Sequence, residues 1–309
     1  MNMKTRLLTI PAIVLIFVIA TIAQAGSGLR DEIVDSFAVK PGGTLNFDSD
    51  LANVEIATSE TDTFRAEFTR EFKVSTAQEA DALRQKVDVQ MSKTGNDVKI
   101  TVRWTGGRND RERQKVRLKF RIAMPRKFNL DLHTIGSGRV DDLDGTVKAV
   151  MIGGSLKLKN VGGAVTAKTE GGSVSVGDVG GDLEAKAEGG SVDAGRVNGH
   201  VLALAEGGSV SIKEAIDSVE AKAEGGSVAA YISKQPRGDS KLIAEAGNVE
   251  LRLPESIAVN IDASCSAGRL SSDFSLNGHQ DEERLKGKIN GGGPLVMVRA
   301  SAGNIYLRK

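Results

Sequence analysis

The chain has 309 residues, with 41 Lys and Arg against 40 Asp and Glu, so its formal net charge is only +1. That balance excludes binding of nucleic acid through bulk positive charge, and no nucleic-acid partner is expected. Aromatic residues make up 4% and there is a single cysteine, so neither large rings nor an internal disulfide can hold the core together.

The first 25 residues carry Lys4 and Arg6, an apolar run from Leu7 to Ala20, and Ala23-Gln24-Ala25. This is the layout of a secretory signal peptide cleaved after Ala25. The apolar run falls short of the ~20 residues a spanning helix needs, so no transmembrane span is expected in the mature chain. No cysteine follows the run to take a lipid. Loss of Lys4 and Arg6 reduces the 41 basic residues to 39 against 40 acidic ones, leaving the mature protein near neutral. Export to the periplasm, or onward to the cell surface or extracellular space, is the expectation.

Residues 26–132 read as a β-rich N-terminal portion, with strands in IVDSFAV, TLNFDS, NVEIATS, FRAEFTREFKV, DVKITVRW and KVRLKFRIAMP. A short capped helix is expected over 75–86. This portion would cap the C-terminal region and protect its terminal strands. Within it, RNDRERQKVRLKFR, residues 108–121, carries seven basic residues. If Val116, Leu118 and Phe120 face inward, Arg117, Lys119 and Arg121 line the outside as a candidate face for an anionic partner. No aromatic residue interleaves with them for base stacking. The plainer reading is an edge strand that uses charge against aggregation.

From 133 to 309 the chain repeats itself. EGGSV recurs at 170, 188, 206 and 224, always 18 residues apart, and a second turn falls midway, as in Val161-Gly-Gly163 and Val179-Gly-Gly181. Apolar residues alternate on both sides of the glycines, so each unit reads strand, turn, strand, turn. Like residues fall in like columns: Val147/Val165/Leu183/Val201/Val219, Ala149/Ala167/Ala185/Ala203/Ala221 and Met151/Thr169/Ala187/Ala205/Ala223 on one strand, with Leu156/Val174/Val192/Val210/Val228 on the other. A parallel β-solenoid of 18-residue two-strand coils needs that equality, because each coil lies on the next. An antiparallel meander with Gly-Gly hairpin turns is the rival geometry. Turns at Glu245–Val249, Ser266–Leu270 and Ser301–Ile305 extend the coils, and a polar excursion near 277–293 is expected as a loop or edge hairpin.

Outward columns hold Lys168/Lys186/Leu204/Lys222 beside Glu170/Glu188/Glu206/Glu224. Rows of exposed ion pairs account for these more simply than a cation ladder. Calcium-binding nonapeptides need Gly and Asp where Val174 and Val176 stand. His133, His200 and His279 are too scattered for a metal centre or a catalytic triad. Cys265 alternates onto an inward face with Val259, Ile261 and Ala263, as a buried thiol does. No catalytic residue, metal or cofactor is expected.

Pro41-Gly-Gly-Thr-Leu45, Met124-Pro125, the rows of S/E-x-G-x-V turns and the terminal Ala300–Leu307 stretch ASAGNIYL, together with the secretory leader, resemble a bacterial adhesin-like domain family of unknown function. That family is related to the head domains of some adhesins, and the resemblance covers nearly all of residues 33–309. It implies an exported β-solenoid without an established catalytic site, acting as an adhesin or scaffold on envelope glycans or another envelope protein. The alternatives are a glycan-active β-helix enzyme, which would need converging carboxylates, and a periplasmic scaffold with no adhesive role.

Overall fold

The computed structural model describes residues 29–107 and 110–309; the expected signal peptide, residues 1–25, lies outside them. The N-terminal strands are β1 (Arg30–Ala38), β2 (Thr44–Ser49), β3 (Ala52–Ser59), β4 (Thr63–Phe72), β5 (Val87–Thr94), β6 (Asp97–Trp104), β7 (Val116–Pro125), β8 (Asn129–Thr134) and β9 (Gly138–Val140), with helices α1 (Ala77–Arg84) and α2 (Asp110–Arg113). The regular repeats form β10 (Val147–Met151), β11 (Leu156–Leu158), β12 (Val165–Thr169), β13 (Val174–Val176), β14 (Leu183–Ala187), β15 (Val192–Val197), β16 (Val201–Ala205), β17 (Val210–Ala215), β18 (Val219–Ala223) and β19 (Val228–Ile232). The C-terminal part adds β20 (Ser240–Ala244), β21 (Val249–Arg252), β22 (Val259–Cys265), β23 (Leu270–Ser272), β24 (Asn277–Gln280), β25 (Arg284–Ile289), β26 (Leu295–Ala300) and β27 (Ile305–Arg308).

These strands make two facing sheets of 13 and 14 strands, and successive coils pair in parallel. Val165 lies on Leu183, Ala167 on Ala185 and Thr169 on Ala187, and the next coil repeats the register with Val201, Ala203 and Ala205. The columns are those expected from the sequence. The meander is excluded by the pairing, and also by the turns: no glycine within the regular repeats, 147–232, takes the positive φ that a tight hairpin turn demands. Midway turns contribute a third inward column, since Leu143, Val161, Val179 and Val197 stack and are buried. Thr169 is the polar member of its column, and its hydroxyl donates to the Gly172 carbonyl at 2.7 Å.

The glycine pairs serve close approach. A Cβ on Gly190 would stand 2.4 Å from Ser173 Oγ and 2.8 Å from the Gly172 backbone of the coil below. The serine that comes after each pair is itself a structural acceptor. Ser191 N–H donates to Ser173 Oγ at 3.0 Å, Ser209 N–H to Ser191 Oγ at 3.1 Å and Ser227 N–H to Ser209 Oγ at 3.1 Å. The ladder continues through Asn248 and Asn304 to Arg269 N–H. A second ladder at the opposite corner links Asp142, Asn160, Asp178 and Arg196. Corner N–H groups that miss the sheet pairing are satisfied in this way from coil to coil.

Both ends are built by going out and coming back. From β2 and β3 the chain moves outward to β6 and β7, which pair in parallel with them, and returns on their other side as β8 and β9. At the far end β22 and β23 are laid down first, and β26 with β27 then fills the gap between them and β20 with β21. The 277–293 excursion is an antiparallel hairpin, β24 and β25, on the edge of the larger sheet. At the N-terminal end β4 and β1 extend one sheet in antiparallel fashion and β5 extends the other. Helix α1 starts at Thr76, whose hydroxyl accepts from Glu79 N–H, and it buries Ala80 and Leu83 against this end. Buried rings gather here, with Phe68 stacked on Phe120 at 4.6 Å and Phe47 edge-on to it at 5.0 Å. One expectation is corrected: β7 lies between β4 and β3, so the arginine-rich strand is not an edge.

Ala203 has no exposed surface and is stacked between Ala185 and Ala221. Ala203→Leu should therefore cost about 1–3 kcal/mol, read as a lower urea midpoint, whereas Ala57→Leu on the exposed face of β3 should stay within about 0.5 kcal/mol. Deleting residues 295–309 should leave β22 about two strand spacings, ~10 Å, from β20. Hydrogen exchange of amides in 257–289 should then approach unprotected rates, while those of β10 to β18 keep their protection.

Candidate binding face

On β7, Val116, Leu118 and Phe120 are buried, and Arg117, Lys119 and Arg121 point outward as the alternation requires. The three do not share one environment. Lys119 Nζ lies 2.8 Å from Glu55 of β3, and Arg121 contacts Glu67 of β4 at 3.1 Å and Glu55 at 3.7 Å. The hydrogen bond from Lys119, together with the charges of Lys119, Arg121 and Arg139, outweighs partial burial and holds the Glu55 carboxyl below its ordinary range. Two of the three candidate cations are thereby neutralised within the sheet.

Arg117 is different. Its cross-strand neighbour is Glu71 on β4, and the next residue across is Arg30 on β1. Among the described residues no carboxylate comes within ion-pairing distance of Arg30, Arg113 or Arg117. Arg113, from the end of α2, donates instead to the neutral backbone carbonyl of Asp50. These arginines border a cleft of about 620 Å³ that also touches Leu51, Asn53, Ile135 and Gly136. Lys73 and Lys115 are exposed beside it, where Lys73 N–H donates to the Lys115 carbonyl at 2.7 Å. Lys86 to Glu112, at 2.7 Å, ties α2 down at its rim.

The sequence placed Arg117 on an outer face but missed Arg30 and Lys73, which come from strands far away in the chain. The only available signal was that Arg30 and Lys73 flank strand-like stretches. On the smaller sheet the repeats concentrate no charge of one sign. A trough of about 870 Å³ across β11 to β19 balances Lys157, Lys159, Arg196 and Lys213 against Asp142, Asp178, Asp193 and Glu214. On the other sheet Lys168 reaches Glu188 at 2.8 Å, and Lys222 reaches Glu224 at 2.7 Å and Glu245 at 2.8 Å. Hydrogen bonds from these ammonium groups to the glutamates raise both above the ordinary lysine value. Among the described residues no three His, Cys, Asp or Glu side chains gather as metal ligands. His133, His200 and His279 contact Asp48, Ser218 and Asp281 in three separate places. Burial pushes the Cys265 thiol up, which disfavours the reactive thiolate.

Residues 44–308 match the model of the Toastrack DUF4097 family. No curated protein matches the chain. Among solved structures, it is similar to a proposed cell adhesion protein from Clostridium sporogenes at 14% identity and a TM-score of 0.22, covering 90% of this chain and 99% of that one. A proposed adhesin from Parabacteroides merdae matches at 13% identity and a TM-score of 0.39, with 90% and 96% covered. A proposed lipid binding protein from Parabacteroides distasonis matches at 10% identity and a TM-score of 0.31, with 90% and 97% covered.

Because Glu55 is held down by its cations, a carbon-detected NMR titration should place its pKa below that of an ordinary glutamate. Lys119→Met should move it upward. The linkage is set by the sign of the shift: a depressed carboxyl supports the fold above its unfolded pKa and loses that support as pH falls through the folded value. The acid limb of the stability curve should therefore flatten slightly in the variant.

Proposed function

This chain belongs to the Toastrack DUF4097 family, and we propose that it serves as a non-enzymatic exported module of the cell envelope or surface, an adhesin or scaffold. In this reading residues 133–309 form the repeating stem, and residues 26–132 supply the end that meets a partner. The signal-like residues 1–25 support export. No helix among the described residues is long and apolar enough to cross a membrane.

The observation that carries the reading is the distribution of chemistry over the coils. Inward positions are filled by a continuous apolar core, the outward charges on one sheet of the repeats balance, and on the other Lys168 and Lys222 pair with glutamates of neighbouring coils. In the cleft beside Arg117, among the described residues, arginines outnumber the one carboxylate, Glu71, and none is within ion-pairing distance of it. A surface of that kind suits binding of an anionic envelope component and supplies no converging carboxylates for glycoside chemistry.

Protease treatment of intact cells, with a periplasmic protein as control, tests the adhesive role. Digestion of the native protein while the control survives is the expected result for a surface adhesin. Protection until the outer barrier is opened would overturn adhesion and leave a periplasmic scaffold.

A further inference from the structure

We infer that the cleft beside Arg117 binds a phosphoryl group, in the form of a phosphomonoester carried on a larger molecule. This deepens the proposed envelope role and rests on it for the idea that this end of the solenoid meets a partner.

Charge is the first argument. Arg30, Arg113 and Arg117 line the cleft with one carboxylate, Glu71, placed between Arg30 and Arg117 on neighbouring strands. Among the described residues, these three cations against one anion leave a surplus of two, which a phosphomonoester dianion matches and a lone carboxylate does not. Lys119 and Arg121 add nothing to the surplus because Glu55 and Glu67 already occupy them.

Chemistry is the second argument. The unpaired groups are guanidinium forks, which offer two parallel N–H donors to a tetrahedral oxyanion. Arg113 is oriented from one side by its bond to the Asp50 carbonyl. Arg30 and Arg117 stand on adjacent-but-one strands of a sheet whose inner face carries the buried Phe68 and Phe120, so their backbones are held by the core. A cleft of about 620 Å³ holds far more than a phosphate ion, and the aliphatic side chains of Leu51 and Ile135 offer surface for whatever carries it. Among the described residues no aromatic side chain lines it, which argues against a nucleic acid strand as the carrier.

The test uses the purified mature protein with glycerol phosphate as the soluble probe and acetate as the monoanion control. Vesicles of phosphatidylcholine with and without phosphatidic acid provide the same group on a membrane. Calorimetry and vesicle sedimentation are run across salt and pH. Saturable binding of glycerol phosphate or of phosphatidic acid vesicles is expected, weakening with salt and as pH falls through about 6, where the second phosphate proton returns. Arg30→Gln with Arg117→Gln should weaken it about tenfold or more. Lys168→Gln with Lys222→Gln, on the opposite sheet, should leave it unchanged.

Binding to vesicles alone would assign the phosphoryl group to a lipid headgroup; binding of glycerol phosphate would admit a soluble carrier. The inference is overturned if neither probe binds, if acetate competes equally, or if the Arg30/Arg117 variant, still folded by circular dichroism, binds as the wild type does. Arg113→Gln is reserved as a second variant because Arg113 also supports the Asp50 turn. Failure here would leave the envelope role intact, since protease accessibility is read independently of ligand.

Discussion

Parallel strands lie about 4.8 Å apart, and here that spacing governs every choice along the repeats. A side chain pointing inward from one coil is packed mainly against its own equivalents above and below. A column must therefore keep one size, and the sequence does so with Ala149, Ala167, Ala185, Ala203 and Ala221. Small residues in these columns let a chain with 4% aromatic content still bury a continuous core. The rings it does have are concentrated where the regular stacking ends, around Phe47, Phe64, Phe68 and Phe120.

The same spacing explains the corners. Where the chain turns, its amides leave the sheet pairing and cannot remain unsatisfied. An acceptor side chain at each corner, serine in one ladder and Asn or Asp in the other, receives the N–H of its equivalent in the next coil. Glycine precedes the serine because a Cβ there would collide with the serine hydroxyl of the coil beneath. EGGSV is thus one device: glycines permit the approach, and serine satisfies what that approach leaves open. Among the described residues no fully buried side-chain polar atom lacks a partner.

The repeat was legible in the sequence because its physics is local and periodic. Val165 over Leu183 and Ala167 over Ala185 can be read simply by counting 18 residues. The third inward column was not, since Leu143, Val161, Val179 and Val197 sit in what reads as a turn. Serine acceptors were also hidden, because a hydroxyl beside a strand start looks like ordinary turn chemistry. The out-and-back order of the ends was invisible for a different reason: inserting β26 between β20 and β22 depends on spatial closure, and no local spacing encodes it. For the same reason Arg117 was found from strand alternation, whereas its neighbour Arg30 was not. Their proximity runs through β4, and antiparallel register across three separated strands cannot be counted along the chain.

The division between stem and end arises from repetition itself. A like charge placed in every coil recurs at the strand spacing and repels its neighbours, and the glutamate column of the repeats is relieved in part by Lys168 and Lys222, which reach across from one coil to the next. Where the translation stops, a surplus of charge is not multiplied from coil to coil. At the N-terminal end the strands change direction, with β4 antiparallel to both β7 and β1, and Arg30, Arg113 and Arg117 come from three different segments with no obligation to repeat. Neighbouring strands need not resemble each other at either end of the solenoid, and the proposed binding face makes use of the N-terminal one, with the repeats as its base.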